Sequence, residues 1–235
     1  MNIILTIDTS SISCAVGLQL GDVLLERTSE AQRQSAQRVL PMISELLIDA
    51  KIQLSDIDII AVVAGPGSFT GVRIGVAVAQ GLSMSAAIPV VPLSSLALLA
   101  AATVLDSSFN RVLVSEEARE DELYFAAYEF SDRRGVELVG REQVALIEDL
   151  DVLPRGLADV HWSLAGSGWK RQSEILQHLD CAAAVKPLSL VIGSQLIAKL
   201  ALLCFNCGEA VDAAALRPNY VKEHLVYTSP ESPKQ

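Results

Sequence analysis

The stretch 57–75, IDIIAVVAGPGSFTGVRIG, constrains the fold of this chain more than any other. An apolar, β-branched run over 57–64 leads into the turn Gly65-Pro66-Gly67. A helical segment over 70–85 follows and carries glycines in its interior. A strand almost free of polar residues is one covered on both faces, which calls for helices on either side of a sheet. Glycine inside a helix costs about 1 kcal/mol relative to alanine. Gly71 and Gly75, continued by Ala79 and Ser83 at the same spacing, therefore need a compensating contact. Two readings compete. A turn at a helix N-terminus is where α/β proteins bind anions. A row of small residues lets another helix approach closely, either an internal one such as 39–50 or one from another subunit.

The anion reading meets several obstacles. No Gly-Lys-Ser/Thr follows the turn, so it is not a Walker A loop, and G-x-G-x-x-x-G is not the dinucleotide fingerprint. G-x-S-x-G is absent, so no nucleophile elbow is supported, and Ser68 reads as a helix N-cap. Arg73, beside the small-residue row, suits an interface or an anion contact, against the plain alternative of a solvated surface.

The remaining pattern predicts an α/β chain. Strands are expected over 2–7, 14–20 and 23–26, with Gly21-Asp22 as a hairpin turn. Val39, Ile43, Leu46, Leu47 and Ala50 recur at helical spacing. Pro41 is expected at the start or a kink of that helix, because proline deep inside one costs roughly 3 kcal/mol. A short strand at 90–91 and a helix over 94–104 complete the order βββαβαβα, which argues for a mixed sheet with helices. The polar break 107–110 is the expected domain boundary, giving domains 1–106 and 107–235. Beyond it, strands are expected at 111–114, 123–130, 136–139 and 162–165, a helix over 190–205, and a loose tail from about 229.

Composition limits the function classes. Of 235 residues, 51% are apolar and 20% charged, as in soluble globular proteins. The net charge of −10 repels phosphate backbones, so contact with nucleic acid is expected to run through a more basic partner. No basic leader segment or membrane-length apolar run is seen, so a cytoplasmic protein is expected. Cys204 and Cys207 form a C-x-x-C, but no second pair exists and His161, His178 and His224 are distant in sequence. They read as ordinary thiols near a helix end. No H-x-x-x-H occurs, so a metalloprotease has no ligand set and no metal site is expected.

Residues 65–75, GPGSFTGVRIG, resemble the hallmark of the bacterial TsaB (YeaZ) family. Ile7-Asp8-Thr9-Ser10 is similar to its opening strand and loop, and residues 37–42, QRVLPM, to its first-helix signature. Leu54-Ser55-Asp56-Ile57-Asp58, Ala118-Arg119, Glu122-Leu123-Tyr124, Ala165-Gly166-Ser167-Gly168-Trp169 and Arg217-Pro218-Asn219-Tyr220-Val221 also match. Ser35 stands where many members carry a histidine, and Glu117 where an aspartate is common.

The resemblance implies an actin-like, Hsp70-like (ASKHA) fold of two related subdomains with mixed sheets flanked by helices. It implies a required, non-catalytic subunit in making tRNA N6-threonylcarbamoyladenosine (t6A). The catalytic partner would be the paralogue TsaD, joined by the ATPase TsaE, with tRNA met through the complex and ATP or ADP at an interface between subunits. The expected partner interface comprises Arg38, Met42, Gly71, Arg73, Gly75, Val76 and Ala79, and the same face would pair with itself in a homodimer. Asp8, Thr9 and Ser10, at the phosphate-loop position, with Gly65 and Gly67 are the candidate nucleotide-binding residues. The alternative is an actin-like ATPase or kinase acting through that loop and turn.

Overall fold

The apolar run forms β4 (Ile59–Gly65), buried at every position, and the first half of the chain is arranged around it. The computed structural model describes residues 2–30, 35–106, 110–151, 161–181 and 192–221. β1 (Ile3–Asp8), β2 (Cys14–Leu20) and β3 (Val23–Ser29) form an antiparallel meander, turned between β2 and β3 by Gly21, at φ +58°, and Asp22. β4 runs parallel to β1, and β5 (Val90–Ser94) parallel to β4, giving the order β3-β2-β1-β4-β5. Parallel pairing requires long crossovers; α1 (Ser35–Ala50) and α2 (Phe69–Ala86) supply them.

The second sheet repeats this plan. β6 (Arg111–Glu117), β7 (Leu123–Ser131) and β8 (Gly135–Ala145) form a second meander, and β9 (Ser163–Ala165) runs parallel to β6. Its order, β8-β7-β6-β9, matches β3-β2-β1-β4 strand for strand. The chain is thus built from two related mixed sheets with flanking helices, the actin-like α/β architecture.

Among the described residues, three clusters of buried side chains hold the layers together. α1 and α2 cover one face of the first sheet, where Val39, Met42, Ile43 and Leu46 meet Val72, Val76 and Ala79 over Leu5, Ile7 and Val62. Between the sheets lie α3 (Ser95–Asp106) and α5 (Ser194–Asn206), with Leu96, Leu98, Ile197 and Leu200 packed against Ile59, Val63, Val112 and Val114. Trp162, Trp169, Phe125, Ile175 and Leu179 fill the outer face of the second sheet beneath α4 (Gln172–Leu179). Each fully buried large side chain contributes roughly 1.5–3 kcal/mol by leaving water.

Several boundaries differ from expectation. Pro41 lies inside α1, six residues after its start, with its ring exposed, so it does not begin the helix. Residues Leu54–Asp56 form a 3-10 turn, which moves the start of β4 to Ile59, although Ile57 is buried. β5 continues through Pro92 to Ser94, and β8 reaches Ala145 rather than ending at 139. α5 begins at Ser194; residues 190 and 191 of the expected helix, 107–109 of the expected boundary, and the tail from 229 lie outside the described residues. Among the described residues no helix is long and apolar enough to cross a membrane.

Candidate functional site

The C-terminal ends of β1 and β4 lie side by side, so the loop after Asp8 meets the turn after Gly65 and the first turns of α2. The glycines there serve this meeting. A Cβ on Gly71 would lie 1.9 Å from the carbonyl oxygen of Thr9, and one on Gly67 2.5 Å from that of Ser10. On Gly75 it would lie 2.5 Å from Thr9 Oγ1. The approach is fixed by hydrogen bonds. Thr9 Oγ1 donates to the Gly71 carbonyl at 2.6 Å, and the Ser68 amide donates to the Ser10 carbonyl at 2.7 Å. Ser68 caps α2, accepting from the Gly71 amide at 3.3 Å. Ser95 Oγ donates to the Pro66 carbonyl at 2.5 Å.

Asp8 is engaged in the same way. One carboxylate oxygen accepts from the Ser10 amide at 2.9 Å and from Ser10 Oγ at 2.7 Å. Burial pushes its carboxyl above the usual value, outweighing both bonds. The structure therefore brings Asp8, Thr9, Ser10, Gly65 and Gly67 together, with the loop's polar groups bonded to one another and to α2.

This geometry corrects the expected partner interface. Gly71, Gly75, Val76 and Ala79 are buried within the chain, as is Met42 at 1% exposure. Gly71 and Gly75 face the Thr9 loop, Gly75 also Ile7 and Val62 of the first sheet, and Met42, Val76 and Ala79 belong to the core cluster shared by α1, α2 and that sheet. Of the seven expected contacts only Arg38 and Arg73 lie on the surface. The exposed faces of these helices carry residues the sequence reading passed over. α1 exposes Leu40 and Ile48, the latter at 70%. α2 exposes Phe69, Ala77, Gly81 and Met84, the last at 77%. The available signal was that Leu40 and Ile48 fall off the buried i, i+3, i+4, i+7 positions of α1 yet are apolar.

The remaining candidates have local roles. Gly166, at φ +102°, and Gly168 pack on Ser115, much as Gly67 and Gly71 pack on Ser10 and Thr9. Ser167 between them is held by Glu116, whose two carboxylate oxygens accept from its amide at 2.9 Å and its hydroxyl at 3.1 Å. Arg217 donates to the carbonyls of Ala214 and Leu216 at 2.6 and 2.7 Å. Cys204 and Cys207 are free thiols at the end of α5; burial and Glu209 push Cys204 up to about 12, and Cys207 donates to the Arg133 carbonyl at 3.7 Å. His178 meets the Leu150 carbonyl at 2.9 Å, and His224 lies outside the described residues.

Comparison with known proteins locates this architecture in a family. The family model described as "TsaD: tRNA N6-adenosine threonylcarbamoyltransferase" matches residues 25–217. The TsaB tRNA threonylcarbamoyladenosine biosynthesis protein of Buchnera aphidicola subsp. Schizaphis graminum is 31% identical over 72% of this chain and 80% of its own. The chain belongs to the TsaB (YeaZ) family. The Escherichia coli K12 TsaB is 28% identical over 95% of this chain and 96% of its own length. Among solved structures, a Pseudomonas aeruginosa protein described as similar to the peptidase YeaZ superimposes with a TM-score of 0.81 at 34% identity, covering 94% of this chain and 100% of that one. YeaZ from the same organism gives 0.77 at the same identity and coverage.

Proposed function

We propose that this TsaB-family chain serves tRNA threonylcarbamoyladenosine biosynthesis as a docking subunit, not as the catalyst, and that it binds a TsaD-like transferase subunit through the exposed faces of α1 and α2. The observation that carries this reading is the contrast between two places in the fold. At the phosphate-loop position, Asp8, Thr9 and Ser10 hydrogen-bond within the chain, and α2 is closed onto them through Gly67 and Gly71. On their outer sides, α1 and α2 leave Leu40, Ile48, Phe69 and Met84 in water, with Arg73 stacked on the Phe69 ring. Aromatic, aliphatic and arginine side chains in such a setting are what protein interfaces bury.

A TsaE-like ATPase joins the pair, and tRNA is met through the partners, in keeping with the net charge of −10. ATP or ADP binds at the interface between subunits. Without a partner, the same face supports a homodimer. The test is reconstitution. The purified chain alone should form no t6A in an unmodified tRNA supplied with ATP and a threonine-derived substrate but without the TsaD-like and TsaE-like subunits. With both subunits present, t6A should appear only when this chain is added. Modification by the chain alone would refute the docking role.

A further inference from the structure

Arg73 is the only charged residue of α2, and it is held in place before any partner arrives. Its guanidinium carbon stands 3.6 Å from the centre of the Phe69 ring and 5.5 Å from that of Tyr220. Its Nε donates to the Tyr220 hydroxyl at 2.8 Å. Its two terminal nitrogens have no partner among the described residues. Tyr220 lies 147 residues away in sequence and is itself anchored through Asn219. The Asn219 amide donates to the Ala64 carbonyl at 2.7 Å, at the end of β4. The Asn219 side chain donates to Glu142 of β8 at 2.6 Å, and the other Glu142 oxygen accepts from Tyr128 and Ser94. Upstream, Val211 bridges Val90, Leu216 is buried, and Gln80 of α2 donates to the carbonyls of Ala213 and Leu216 at 3.2 and 3.0 Å. Residues 211–220 thus cross from the edge of β5 to the start of α2 and touch both sheets on the way.

We propose that residues 211–220 are a strap whose Asn219 and Tyr220 are positioning residues for Arg73, and that Arg73 so held receives a carboxylate side chain of the docking protein. This rests on the docking reading above. An arginine already fixed by a ring below and a hydroxyl at Nε loses little further rotamer freedom on binding. It presents the planar pair of terminal nitrogens that matches a carboxylate. A single such fork beside Phe69 suits one acidic side chain within an apolar contact. A nucleic-acid backbone would need several cations in a track, on a chain whose net charge is −10.

The test is a double-mutant cycle, with affinity for the purified TsaD-like subunit measured by calorimetry and the urea midpoint of each isolated variant measured in parallel. Arg73→Ala should weaken binding about tenfold or more, and Tyr220→Phe, which keeps the ring, severalfold, with the midpoint of Tyr220→Phe unchanged. In the Arg73→Ala background, Tyr220→Phe should have no further effect. Wild-type affinity in Arg73→Ala, or a Tyr220→Phe loss that persists without Arg73, overturns the proposal. So does an Arg73→Ala defect confined to tRNA retention, which would mean a phosphate and not a carboxylate. If the wild-type chain itself fails to bind the subunit, it is the docking reading that falls.

Discussion

Two glycines of α2 separate tolerance from necessity at the scale of one residue. Gly71 has a Cβ position 1.9 Å from a backbone oxygen of Thr9, and that oxygen belongs to a loop fixed at both ends, so it has no room to yield. Gly71→Ala should destabilise the chain by about 3 kcal/mol or more, at the upper end of overpacking effects. Gly81, on the same helix, has nothing within 4 Å of its Cβ position. Gly81→Ala should be neutral or stabilise by up to about 1 kcal/mol through helix propensity alone. Urea denaturation of the two variants checks both outcomes, and equal midpoints would refute the close approach at Thr9. Asp8 gives a pH-dependent counterpart. Burial raises its carboxyl above 3.8, so the folded chain holds that proton more tightly than the unfolded chain does. Its contribution to stability is then full below the unfolded value and is lost as pH rises through the folded one. Asp8→Asn keeps an acceptor for Ser10 without the charge. It should be more stable than wild type at pH 7, with the gain shrinking as the pH falls toward 3.8. A variant less stable at pH 7 would mean that the carboxylate itself is held by the fold.

Among the elements, α5 shows how a helix of the second half is attached to the first. Its N-cap residue, Gly193, offers no side chain, and Glu26 of β3 takes that place by accepting from the Ser194 amide at 3.0 Å. A carboxylate there satisfies an orphan donor and meets the positive end of the helix dipole. Glu26→Ala should cost about 1 kcal/mol, seen as a lower urea midpoint and faster amide exchange in the first turn of α5. Unchanged exchange there would show the cap to be idle. Such contacts mark the limit of what the sequence made legible. β4 was readable because an unbroken apolar run has few alternatives, and α1 because its apolar positions recur every three to four residues. The row Gly71, Gly75, Ala79 was also readable as a surface demanding close contact. Periodicity tells which residues share a face but not what that face meets. The answer lay in Thr9, 62 residues earlier in the chain. The duplication of the sheets was legible only through the family resemblance, for a related reason. What repeats is the pairing of strands, and the strand expected at 162–165, observed as β9, carries nothing in its residues that marks it as the counterpart of β4.

For the whole molecule, the decisive asymmetry is between the two sides of the helical layer formed by α1 and α2. Their inner side is committed to the first sheet, while the outer side leaves Ile48 at 70% and Met84 at 77% exposure. Neither side chain contributes to the core, so replacing either with a charge should leave folding almost untouched, within about 0.5 kcal/mol. Binding is another matter. An interface that covers these positions must strip water from whatever stands there, and an unpaired carboxylate in that place costs several kcal/mol. Ile48→Glu adds its charge beside Glu45 and Asp49, already on the exposed side of α1, whereas Met84→Glu places one on a helix without acidic residues. Both variants should keep the urea midpoint of wild type and lose affinity for the TsaD-like subunit by tenfold or more, with t6A formation in the reconstituted system falling in step at limiting concentrations. Restoration of t6A by raising the variant's concentration would identify the loss as one of docking. Wild-type affinity in both variants would move the docking surface away from α1 and α2.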